Sequence, residues 1–105
     1  MAEMIKGLET TRGKVLTEAI NTVCHDRDDQ YGTPEDNFAT IARMWTAYIK
    51  ASCVPSDCDV YIYAHDVAAM LALLKIARIA TGKPKLDSWV DLAGYAACGA
   101  EAQHV

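Results

Sequence analysis

No stretch limits the possible folds more than Asp66 to Ala80. It holds neither Gly nor Pro, and apart from Asp66, Lys75 and Arg78 every residue in it is apolar. On a wheel of 3.6 residues per turn these positions leave no polar side, and a helix apolar all round is normally buried. It is too short, and too charged at Lys75 and Arg78, to span a membrane. The stretch therefore reads as a central helix around which the other segments pack. Its two cations then need partners, because an unpaired charge in an apolar core is costly.

The 105 residues suit a single domain with a small core. Hydrophobic residues make up 51% of them, more than such a core can hide, which argues for a homo-oligomer. A net charge of −4 without any basic run argues against nucleic-acid binding through phosphates. Met1 to Leu8 has no apolar signal-peptide core, so a cytoplasmic location is expected. In that reducing compartment Cys24, Cys53, Cys58 and Cys98 are expected as buried thiols, not as a disulfide framework.

Along the chain, residues 1–13 contain two glycines and no sustained period, and read as a loose arm or a short helix. A single helical domain follows over residues 14–105. Its first helix begins at Lys14, with Val15, Leu16, Ala19, Ile20 and Val23 on one face, and stops before Tyr31-Gly32. Thr33-Pro34-Glu35-Asp36 is a helix start. Thr33 can cap, Pro34 suits the first helical position, and the two acids complement the positive end of the helix dipole. The second helix shows Phe38, Ile41, Ala42, Trp45, Tyr48 and Ile49 at spacings of three and four, and ends near Ala51. Ser52 to Asp59 is a loop by composition. Val60 to His65 has the residues of a strand but no partner strand, and so leads into the central helix. Gly82 and Pro84 end that helix, and a last helix runs from Leu86 or Asp87 towards Gln103. The expected fold is all-α, a bundle of four helices.

Asp87 and Asp91 stand four apart, so both carboxylates project from one helix face and repel each other. A Mg²⁺ ion would relieve that repulsion, since it prefers oxygen ligands. Asp66 and Glu35 are further candidate ligands from facing helices. The plainer alternative has Asp87 and Asp66 capping their helices, Glu35 doing the same, and Asp91 paired with Lys75 or Arg78. Those cations could instead receive an anion such as a phosphate. Tyr31 and Trp45 could stack on a base, and the Asn37 amide could read a base edge, although core or turn packing explains each as well. Zinc at Cys53, Cys58 and His65 fits no common spacing. Cys24 and His25 are helix neighbours that point apart, so they form no nucleophile–base pair. No phosphate-cradling glycine loop occurs.

Several strings together resemble a family of short phage and prophage proteins without an assigned activity. They are Arg27-x-x-x-Tyr31-Gly32-x-Pro34-x-x-Asn37-Phe38, Asp66-Val67-Ala68-x-Met70 with Leu74-Lys75-Ile76-Ala77-Arg78, and Asp87-Ser88-Trp89-Val90-Asp91-Leu92-Ala93-Gly94-Tyr95-Ala96. More distantly, Asp87 to Tyr95 is similar to the second acidic motif of MazG-type nucleoside triphosphate pyrophosphohydrolases, with Asp91 in the Asp place. Those are oligomeric helical bundles that hold Mg²⁺ with acids on two helices. The chain differs in having Asp87 at four residues' distance instead of Glu at three, and in lacking a Glu-Glu-x-x-Glu motif.

Two functions follow from this resemblance. In the first, Mg²⁺ held by Asp87 and Asp91, with Asp66 or Glu35, would activate water to cleave a nucleoside triphosphate. Lys75 and Arg78 would then stabilise the developing charge. In the second, the protein binds without turnover, sequestering a nucleotide-type ligand or engaging a host protein.

Overall fold

The computed structural model describes residues 6–26, 32–53 and 59–105, all helix or connection with no strand among them. Four substantial helices follow in order. Helix α1 spans Thr11–Asn21 and runs on through a π-helical turn, Thr22–Asp26. Helix α2 spans Pro34–Ser52, α3 spans Ala64–Thr81 and α4 spans Leu86–Ala102. A further short helical turn at 6–8 precedes α1. The expected all-α bundle is observed, and no described helix is long and apolar enough to cross a membrane.

The helix starts follow from local chemistry. Thr33 is extended, and its hydroxyl accepts from the Asp36 N–H at 3.3 Å, with Pro34 directly behind it. This is the cap the sequence announces. Helix α1 starts three residues before the expected Lys14. The reason is Thr10, whose hydroxyl accepts from the Gly13 N–H at 2.9 Å and so supplies a cap one turn earlier. At the start of α3 the Asp66 carboxylate accepts from the Tyr63 N–H at 2.9 Å. At its end, the Gly82 N–H donates to the Arg78 carbonyl at 2.8 Å. Gly82 is extended, not left-handed. It suits the position because a Cβ there would lie 2.9 Å from that same carbonyl oxygen.

Val60 to Tyr63 forms no strand. Thr46, buried on α2, stands in for the missing neighbour. Its hydroxyl accepts from the Ile62 N–H at 2.9 Å and donates to the Ile62 carbonyl at 3.4 Å. Both backbone groups of one extended residue are thus satisfied by one side chain.

The core is small: Phe38 and Ala42 from α2, Val67 and Ala68 from α3, and Cys98 from α4. Val23, Ile41, Trp45, Ile62, Ala64, Leu71 and Tyr95 pack around it. Phe38 and Tyr95 meet with ring centroids 6.4 Å apart at 44°. Helices α3 and α4 approach closely. A Cβ on Gly99 would come within 3.1 Å of the Ala68 methyl, and one on Gly94 within 3.0 Å of Val23.

Two expectations are corrected. Helix α3 is not buried all round: Val67 and Ala68 are enclosed, while Met70, Leu73, Leu74 and Ile76 are exposed. Helices α2 and α4 supply the packing on α3, and two neighbours cannot surround a helix on every side, so its outer face meets solvent. Cys24 is likewise exposed, because it sits in the π turn and not on the core face of α1, whereas Cys98 is buried.

Candidate functional site

Helices α1, α2 and α4 leave a hollow where the π turn passes the start of α2. Thr22 and Val23 come from the turn, Pro34, Asn37 and Phe38 from α2, and Asp91, Gly94, Tyr95 and Cys98 from α4. Gly32 closes one side with a left-handed backbone (φ +78°), a conformation open to glycine. The hollow offers 20 Å³ to the centre of a water molecule, enough for about one water. The Asn37 and Asp91 side chains, both half-buried, supply polar groups for it.

Asp91 is the charged member of this lining. Its carboxylate meets the Lys75 ammonium of α3 at 2.8 Å, with side-chain exposures of 26% and 13%. The pair crosses the α3–α4 seam and compensates the one cation of α3 that faces its neighbours. Of the two arrangements open to Asp91 from the sequence, the pairing with Lys75 is the one formed.

The other candidate residues are spread over the molecule. Asp66 accepts the Tyr63 N–H at the start of α3, and its second oxygen lies 3.5 Å from His65 Nε2. Glu35 sits in the first turn of α2, 3.2 Å from His104 Nε2 beyond the end of α4. Asp87 is exposed in the first turn of α4, and Arg78 is exposed near the end of α3. Trp45 packs on the core and lines an outer groove with Met44, Tyr48 and Met70, away from Asn37. Tyr31, Arg27 and Cys58 lie outside the described residues. The structure therefore brings Asn37, Asp91 and, through its ion pair, Lys75 together, and leaves the rest apart. Among the described residues no three His, Cys, Asp or Glu side chains converge as a metal site. The donor set of one chain does not fit Mg²⁺. Asp91 is already neutralised, Asp66 is engaged in its helix start, and Glu35 and Asp87 stand at separate helix ends.

Sequence reasoning missed the π turn and a second, larger concavity. π-helical turns are uncommon and often mark functional positions, and nothing in Thr22–Asp26 signals one. The second concavity is an open groove of 660 Å³ between α1 and α4, lined by Val15, Leu16, Leu86, Trp89, Leu92, Ala93 and Ala96, with Thr11 and Arg12. Its signal was present in the apolar face of α1, which reads simply as core.

A short helical bundle with an internal Lys–Asp pair beside a water-sized hollow is the class that fold and site define. The chain belongs to the family described as Domain of unknown function (DUF6378), whose model matches residues 14–103. It is 36% identical over 84 residues to the Gene 55 protein of Mycobacterium phage D29, covering 80% of this chain and 50% of that protein. It is 37% identical over 82 residues to the Gene 55 protein of Mycobacterium phage L5, covering 78% and 47%. The chain thus spans about half the length of these curated relatives. No solved structure matches it. These findings bear out a family that includes phage proteins, and leave the MazG-type likeness resting on the Asp87–Tyr95 segment alone.

Proposed function

We propose that this chain is a phage-type binding protein that engages a partner without turning it over. The observation that carries the reading is the Lys75–Asp91 contact at 2.8 Å. The acid best placed by sequence to hold a metal instead neutralises the lysine intended for the phosphates. Pyrophosphohydrolysis would require that pair to open and acids now at separate helix ends to converge.

Between a nucleotide and a host protein, the surfaces favour the protein. Small-ligand sites measure about 300–1,000 Å³, and the hollow beside Asp91 is far smaller. The α1–α4 groove is large enough, but its lining is aliphatic and aromatic with Arg12 its one cation, a poor match to a triphosphate. It suits the apolar face of an amphipathic helix. The chain as a whole carries a net charge of −4, which favours approach of a basic partner.

The test has two arms. Incubation with Mg²⁺ and a panel of nucleoside triphosphates should release no pyrophosphate. Release that Asp91→Asn abolishes would overturn the binding reading in favour of hydrolysis. Cross-linking in a host extract should give one discrete adduct that Trp89→Ala and Leu16→Glu both remove. An intact nucleotide recovered from the denatured protein would redirect the proposal from protein to small molecule.

A further inference from the structure

The molecule exposes 7703 Å² of surface. A compact monomer of its mass, 11.5 kDa, exposes about 5,800 Å². The chain therefore carries more surface than a compact monomer of that mass. Part of the excess follows from shape, since the principal extents are 57 × 30 × 25 Å. Side-chain identity decides what the excess is for.

The outer face of α3 is one exposed apolar region among several. Ala69, Leu73, Ile76 and Ala80 recur there at steps of four, three and four, the spacing of a helix-pairing seam. Leu73 is 62% exposed and Ile76 48%. Lys75 is turned to Asp91 on α4, and Arg78 falls about 200° round the helix from Ile76. The seam is thus free of charge along its length, as the centre of an interface should be. Met70, 40% exposed, joins it to a 580 Å³ groove that Met44 and Tyr48 of α2 help to line.

The seam is also a palindrome. Reversing α3 about the midpoint between Leu73 and Ile76 sets Leu73 against Ile76 and Ala69 against Ala80. A surface that is complementary to its own reversed copy is what a two-fold interface requires. We propose that the outer face of α3 binds a second copy of this chain, antiparallel, in a two-fold dimer with Leu73 of each copy on Ile76 of the other. This surface is separate from the α1–α4 groove, so the dimer and the partner-binding reading stand or fall independently.

Sedimentation equilibrium of the full chain is expected to give twice 11.5 kDa. Leu73→Glu and Ile76→Lys should each halve that mass while leaving the helical circular dichroism unchanged, since both side chains are exposed. Because the register sets residue 73 against residue 76, an equimolar mixture of the two variants should regain the dimer mass through Glu–Lys pairs. A monomeric wild type would overturn the proposal. So would a dimer that both single variants leave intact, which would place the contact on another face, or single variants whose mixture stays monomeric.

Discussion

The two faces of α3 carry nearly the same residue types and meet opposite fates. Inward, Val67 and Ala68 are sealed against α2 and α4, and even the charged Lys75 is drawn in by Asp91. Outward, Leu73 and Ile76 face water although each is more hydrophobic than Ala68. Burial is settled by which side has neighbours, and apolar composition supplies only the demand for them. A small chain can satisfy that demand on one face and leave the other for a second molecule.

Substitutions can break this contrast, beginning where the effect is largest. Phe38→Ala empties the centre of the inner packing, where Phe38 touches Tyr95, and should cost about 3–5 kcal/mol in urea unfolding. A loss below about 1 kcal/mol would mean that the inner core is not what holds the bundle. Asp91→Asn leaves Lys75 without its counter-charge in a partly enclosed seam. The expected loss is about 1–3 kcal/mol, between the values for exposed and buried pairs. Replacing both partners, Lys75→Met with Asp91→Leu, should recover most of it, and a double-mutant cycle measures the difference. Thr46→Val strands both backbone groups of Ile62 and should cost about 1–2 kcal/mol. Faster amide exchange is expected at Ile62, with little change at Val67. Last, Leu73→Gln on the outer face should move unfolding by less than about 0.5 kcal/mol when the solution is dilute enough to hold single chains. A larger shift would show that this face is packed within one molecule after all.

Much of the fold could be read directly. Thr33-Pro34 and Gly82 bound their helices as local chemistry demands, and a three-to-four period placed the apolar face of α2. What could not be read was non-local. Asp66, Asp87 and Asp91 look alike as carboxylates near helix starts or on one face, yet only Asp91 reaches a cation across a helix seam. That outcome depends on how α3 and α4 are rotated against each other, which Gly99 and Ala68 set through close contact. Asn37 and Asp91 lie more than fifty residues apart in the chain, and only the packing of α2 on α4 brings them to one hollow. The Thr10 cap was local and legible, but Gly13 two residues into the helix masked it.

The hydroxyl of Thr46 has a consequence for how the protein behaves in a crowded cell. Val60 to Tyr63 is a ribbon of branched and aromatic residues, the sort of segment that seeks a sheet edge in some other molecule. By occupying both hydrogen-bonding groups at its middle residue, one small side chain denies that ribbon its register for cross-pairing. Loss of the hydroxyl would therefore appear as clumping on storage or overexpression well before the helices themselves gave way.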